Sequence, residues 1–201
     1  MKKKGIIIGA IVIVVAIIVT IIIKNNMEYV SKEEMLELMS KPTWDNYKML
    51  VRDSNDNFNN LDIYKKDNIT KIIFNVDSRY VWMNEDTSEV YLVKDGEVVG
   101  TQPFEDTGAY KNINEEFVKD IFPSGEGEYK YKKREKINGI EYIVFEMLNW
   151  RNTNKSIFWV NSETGIIEKA EHYENGELES ECEYKVEEGV VQDSDIVNPN
   201  A

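Results

Sequence analysis

Only one cysteine, Cys182, and one histidine, His172, occur in 201 residues. A lone cysteine excludes an intramolecular disulfide, so a domain outside the cell must be held by its core alone. It also excludes a lipidated cysteine placed just after an N-terminal apolar run. A lone histidine, with no second histidine or cysteine near it in sequence, leaves no zinc site or Ser-His-Asp arrangement legible. No phosphate-binding glycine loop is present, and neither a catalytic residue nor a cofactor is expected. Positive charge is scarce: 24 Lys and Arg face 37 Asp and Glu, a net charge of -13. Residues 1–26 hold four lysines and no acid, which leaves -17 for the remainder. Such a surface repels nucleic acid and anionic headgroups, and nucleic-acid binding is set aside.

Against these absences stands one long apolar run. Gly5 to Ile23 covers nineteen positions with Thr20 as the only polar side chain. A helix of that length spans roughly 28 Å, close to the hydrocarbon core of a bilayer. The run passes straight into Lys24, Asn25, Asn26 and Met27 with no small-residue cleavage site, which argues for a retained anchor rather than a cleaved leader. Lys2, Lys3 and Lys4 precede it, against Lys24 alone beyond it, so the N-terminus is expected in the cytoplasm. The expected organisation is a cytoplasmic basic end (1–4), a transmembrane helix (5–23), a juxtamembrane segment and helix (24–43), and an extracytoplasmic β domain (44–201). The result is a single-pass membrane protein.

Beyond the anchor, Ser31 with Glu34 forms a capping box, and Met35, Leu36, Leu38 and Met39 follow as an apolar stripe ending before Pro42. Six β-like segments come next: Tyr47 to Arg52, Leu61 to Lys65, Ile69 to Val76, Arg79 to Met83, Val90 to Val93 and Glu97 to Thr101. Asn114 is placed to cap a second helix through Phe117, Val118, Ile121 and Phe122, stopped by Pro123. Five more strands follow: Tyr129 to Ile137, Ile140 to Leu148, Ser156 to Val160, Ile166 to Glu174 and Glu177 to Val186. Lys94-Asp95-Gly96 reads as a tight turn, and Asn138-Gly139 and Asn175-Gly176 read as two-residue type I′ hairpin turns.

Those turns predict register. Glu174 should pair with Glu177, Tyr173 with Leu178 and Lys169 with Cys182, which puts Leu178, Cys182, Tyr184 and Val186 on a dry face. The same register sends His172 to the outer face opposite Glu179. Pairing Ile137 with Ile140 gathers Tyr129, Tyr131, Tyr142, Val144 and Leu148 on one face, with Lys130, Lys132, Arg134 and Lys136 on the other. Asp53-Ser54-Asn55-Asp56-Asn57 has the start of a calcium loop, but Phe58 stands where the loop needs glycine and Tyr64 where it needs glutamate. Strands such as Arg79 to Met83 and Ile140 to Leu148 are apolar on both faces, which fits a sheet covered on one side and bordering a cavity on the other. Trp82, Trp159, Tyr80 and Phe158 are the candidate wall of that cavity.

Arg79-Tyr80-Val81-Trp82, Ile157-Phe158-Trp159-Val160-Asn161-Ser162-Glu163-Thr164-Gly165, Glu168-Lys169-Ala170-Glu171, Tyr173-Glu174-Asn175-Gly176 and the tail Val190 to Pro199 together resemble the bacterial lipoprotein-carrier superfamily. The resemblance covers roughly Trp44 to Pro199. It implies an α+β fold, mainly antiparallel: an open half-barrel meander covered by two short helices, here the Ser31 and Asn114 helices, and preceded by the transmembrane helix. It implies a cavity for a lipid or acyl chain, or for a partner segment. No residue matches the lid-locking arginine of soluble carriers, and a retained anchor does not suit a shuttle. The expected function is therefore a surface-tethered, non-enzymatic binding module for a lipid or other hydrophobic ligand, acting as a sensor or local chaperone. The alternative is a cell-envelope protein-interaction module with a filled core and no small-molecule ligand.

Overall fold

The computed structural model describes residues 29–55, 60–103, 112–125, 127–148 and 154–200. The apolar run from Gly5 to Ile23, Trp150 and the rest of the calcium-like stretch after Asn55 lie outside the described residues. Among the described residues no helix is long and apolar enough to cross a membrane.

The chain begins with α1 (Lys32–Met39), where both halves of the capping box form: the Ser31 hydroxyl accepts from the Glu34 N–H at 3.1 Å, and the Glu34 carboxylate accepts from the Ser31 N–H at 2.8 Å. Six strands follow: β1 (Asn46–Asp53), β2 (Leu61–Lys66), β3 (Ile69–Phe74), β4 (Arg79–Asn84), β5 (Glu89–Lys94) and β6 (Glu97–Pro103). A helical segment then runs from α2 (Ile113–Glu116) through a π-helical turn (Phe117–Ile121) into α3 (Phe122–Ser124). The cap of α2 is Asn112, whose side chain accepts from the N–H groups of Asn114 and Glu115, and not Asn114 as the sequence suggested. The N-cap oxygen reaches donors two and three residues on, and only Asn112 is outside the helix to do so. The wide turn also has a purpose. Phe117 and Phe122 are five residues apart and would diverge on a regular α-helix, whereas here both face the sheet and touch, ring centroids 5.4 Å apart.

Five strands complete the fold: β7 (Glu128–Ile137), β8 (Ile140–Leu148), β9 (Asn154–Asn161), β10 (Ile167–Glu174) and β11 (Glu177–Glu188). All eleven form one antiparallel sheet in the order β6-β5-β4-β3-β2-β1-β11-β10-β9-β8-β7. The two meanders meet at the β1–β11 pairing, and the sheet stays open. This is the mainly antiparallel architecture with two short helical covers that an open half-barrel requires. The turn residues Asp95, Asn138 and Asn175 all have φ near +51°, each followed by a positive-φ glycine, as type I′ hairpins demand.

The inner face of β8 to β10 carries Ile143, Phe145, Met147, Phe158, Val160 and Ala170, covered by Met35, Leu38 and Met39 of α1 and by Phe117 and Phe122. A second cluster, with Tyr47, Met49, Leu61, Ile63, Ile72 and Met83, continues across β1 to β5, and Tyr184 packs against both. On the opposite face of β4 and β5, Trp82, Tyr91 and Val93 cluster beneath the C-terminal tail.

Two of the predicted faces are corrected by β-bulges. Ile137 pairs with Ile140 as expected, but between Tyr131 and Lys133 the register slips and Lys132 becomes an extra residue. Tyr129 and Tyr131 therefore share the inner core with Phe145, while Tyr142 and Val144 face out with Trp159. In the last hairpin Glu174 pairs with Glu177 and Tyr173 with Leu178, but His172 then pairs with Ser180 and Lys169 with Glu183. Glu179 is the extra residue. Because side chains alternate with period two, one inserted residue flips every later assignment. Leu178 consequently lies 49% exposed, off the dry face that Cys182 keeps.

Candidate functional site

The flipped register turns His172 inward, beside a hollow of about 490 Å³ on the helix-covered face. Its floor is apolar: Met49 and Val51 from β1, Leu61 and Ile63 from β2, Tyr184 from β11, with Ile113 of α2 opposite. One end is polar. Asp53, His172, Glu179, Ser180 and Cys182 line it, and Glu116 of α2 also borders the hollow.

Short bonds hold these groups. The Ser156 hydroxyl lies 2.8 Å from His172 Nδ1, and the Phe158 ring meets the imidazole edge-on at 6.2 Å between centroids. Cys182 Sγ donates to Asp53 Oδ2 at 3.5 Å. The other Asp53 oxygen accepts from the Asn55 N–H at 2.9 Å, and the Asp53 N–H donates to Asn60 Oδ1 at 2.8 Å. Ser54 adds a reciprocal pair with the Glu181 backbone. The end of β1 is thereby tied to β11.

Burial, reinforced by the Asp53 carboxylate, pushes the Cys182 thiol up to about 11, so it stays protonated at neutral pH and is a poor nucleophile. Burial likewise lowers the pKa of His172 against the opposing pull of Asp53 and Glu179. Among the described residues no group of three or more His, Cys, Asp or Glu is arranged to hold a metal ion.

The histidine shift sets a pH dependence. The folded state disfavours imidazolium, so between the folded value and the ordinary value near 6.5 the unfolded chain binds more protons. The contribution of His172 is complete above pH 6.5 and is lost as pH falls from there through the folded-state value. Urea midpoints of wild type and His172→Gln should therefore converge as the pH is lowered through that window. Parallel pH profiles of the two proteins would refute the assignment.

The four aromatic residues expected to wall a cavity do not share one. Phe158 is on the inner face, packed on Phe117 and Phe145 at 4.7 and 5.1 Å between centroids. Trp159, its neighbour on β9, is on the outer face and lines a second hollow of about 440 Å³ with Arg52, Glu168, Lys169, Glu183 and Lys185. Its Nε1 donates to Glu135 at 3.0 Å, and the Lys169 ammonium sits 4.9 Å from its ring centroid. Trp82 and Tyr80 are also on the outer face, Trp82 only 1% exposed and Tyr80 under the Lys71 ammonium. Of the polar groups that do line the inner hollow, Asp53 stood out in the sequence only as the start of a calcium-like stretch, His172 and Glu179 only as an outer-face pair, and Glu116 not at all. Asp53 lies at a strand end and Glu179 in a bulge, where alternation carries no facing information.

No protein-family model matches the chain, and no curated protein does. Solved structures match by shape. An uncharacterized conserved protein from Thermus thermophilus superposes with a TM-score of 0.54 at 7% identity, over 82% of this chain and 91% of that one. The two share a fold. LprF from Mycobacterium bovis gives a TM-score of 0.47 at 9% identity, over 83% of this chain and 97% of its own. A LolA superfamily protein from Nitrosomonas europaea gives 0.37 at 12% identity, over 86% of this chain and all of its own.

Proposed function

We propose that the domain is a non-enzymatic binding module that takes a lipid or another hydrophobic ligand in the inner hollow, tethered to a membrane through Gly5 to Ile23 and working as a sensor or local chaperone. The observation that carries this reading is the hollow itself. Its volume of about 490 Å³ and its apolar floor, with a few polar groups gathered at one end, have the character of a small-molecule site. The packed core beneath the helices holds the walls in place without filling this space. Phe158, whose ring rests on His172, supports the polar end, and Trp159 walls the outer hollow as a secondary surface.

Native mass spectrometry of the full chain released from detergent micelles tests the reading. Wild type should carry a co-purified lipid or fatty-chain adduct. Ser180→Phe, which fills the rim of the hollow without replacing a core residue, should lose it. An adduct unaffected by Ser180→Phe, or none in wild type under conditions where other lipids are retained, would favour a protein-interaction module with a filled core.

A further inference from the structure

The acidic domain carries its basic residues most densely in β7. The ten residues of that strand hold Lys130, Lys132, Lys133, Arg134 and Lys136 against Glu128 and Glu135, a surplus of three positive charges where the chain beyond residue 26 totals -17. All five cations are exposed. Lys132, Lys133 and Arg134 pair with Glu146, Glu135 and Glu141 at 3.2, 3.0 and 2.9 Å, and Lys130 and Lys136 have no ion pair among the described residues. β7 also ends the sheet, with β8 as its one strand neighbour. At the tip of their hairpin two large apolar side chains, Ile137 and Ile140, pair across the turn and stay 38% and 41% exposed. The other end of β7 meets the residues that precede α1. The Tyr129 hydroxyl donates to the Val30 carbonyl at 3.0 Å, and Tyr131 packs edge-on against the exposed Tyr29 ring at 5.6 Å between centroids. Only five residues separate Tyr29 from Ile23, a stretch that reaches at most roughly 20 Å.

We infer that β7 and the tip of its hairpin form the face on which the domain rests against a bilayer with anionic headgroups, the same bilayer that holds its anchor. This rests on the reading of Gly5 to Ile23 as an anchor and adds a second point of attachment. The short connection keeps Tyr29, and with it the start of β7, within roughly 20 Å of the membrane. Ten residues of strand are about 33 Å long, so Ile137 and Ile140 reach that surface only with β7 lying along it. In this pose the cations meet phosphate groups, the two isoleucines enter the acyl boundary, and Tyr29 takes the interfacial position that tyrosine favours. The ion pairs to Glu135 and Glu141 are open to solvent and yield to headgroups at little cost. The acidity of the rest of the domain does not cancel the attraction. Four strands lie between β7 and the β1 to β6 half of the sheet, and charges more than about 8 Å apart are largely screened.

Fluorophores attached at Ile140→Cys, on the hairpin tip, and at Lys94→Cys, exposed on the opposite half of the sheet, test the pose in the full chain. The native Cys182 is buried, and wild type taken through the same labelling supplies its background. In nanodiscs of phosphatidylcholine and phosphatidylglycerol, lipids with a nitroxide on the headgroup should quench the Ile140 label and spare the Lys94 label. Lys130→Gln/Lys136→Gln, which removes the two cations outside ion pairs, should lower the docked-to-free ratio read from that quenching roughly tenfold, and so should pure phosphatidylcholine. Equal quenching at the two positions, or none at either, in a chain that stays in the nanodisc overturns the docking face and leaves the anchor standing. Quenching at Ile140 that is undiminished in pure phosphatidylcholine overturns the anionic partner. A chain that leaves the nanodiscs in high salt lacks the anchor, and the pose falls with it. Polyglutamate that shifts the emission of the Ile140 label where nanodiscs do not would assign β7 to an acidic polymer and overturn the membrane contact.

Discussion

Gly165→Ala should be among the most damaging single substitutions, costing about 2–5 kcal/mol of a total stability of roughly 5–15 kcal/mol. Gly165 has φ +76°, and a Cβ added there would lie 2.0 Å from the Leu38 carbonyl oxygen and 2.8 Å from its carbon. The left-handed backbone alone costs an alanine about 1–2 kcal/mol. Relieving the clash means moving the end of α1 off the sheet, at a further cost of about 1–3 kcal/mol. The neighbourhood is ill suited to yield. The Gly165 carbonyl accepts from Asn114 Nδ2 at 2.6 Å, the Gly165 N–H donates to the Asn161 carbonyl at 2.8 Å, and the same Asn114 side chain accepts from the Ile167 N–H at 2.8 Å. One turn thus holds both helical covers, α1 by contact and α2 through a buried asparagine. A urea midpoint close to wild type in Gly165→Ala would show that α1 can be displaced cheaply and that this contact is incidental.

Trp82→Ala should cost about 3–5 kcal/mol, the range for truncating a buried large aromatic residue. Trp82 stacks on Tyr91 at 5.6 Å between centroids, and its Nε1 donates to the Ile196 carbonyl at 2.8 Å. That bond helps to hold the C-terminal tail over the outer face, together with Lys71 Nζ on the Asp195 carbonyl and with Asn46, whose amide both donates to and accepts from the Val191 backbone. Trp82→Phe, which keeps most of the packing and loses the bond, should cost markedly less, about 1–2 kcal/mol. Denaturation of the two variants measures the difference. A cost for Trp82→Ala below about 1.5 kcal/mol would mean that the tail is not packed on this ring.

How much of this was legible can be judged from particular elements. The capping box at Ser31 and Glu34, the three Asx-Gly turns and the strand boundaries follow from local chemistry: a side-chain oxygen within reach of an N–H, a residue pair that tolerates positive φ, an apolar period of two. These emerge in the structure within one or two residues of where the sequence puts them. The Asn112 cap was missed because Asn112 and Asn114 are equally good capping types, and the choice between them was made by Gly165 and Ile167, which occupy the Asn114 side chain from more than fifty residues away.

Alternation, turn type and net charge are properties of neighbouring residues, and they alone commit the chain to a long antiparallel meander with two short helical covers and a strongly acidic surface. Which side chains share a space was settled instead by the packing of distant segments. A single extra residue at Glu179 and another at Lys132 carry no compositional mark, yet each reverses the facing of the residues beyond it. The first brings His172 to the same side as Cys182, Asp53 and Glu116 and so builds the polar end of the hollow. Likewise Trp82 and Trp159 are buried by partners remote in sequence, the C-terminal tail and the β7–β8 hairpin, and an aromatic residue in a two-faced apolar strand does not reveal which layer will cover it.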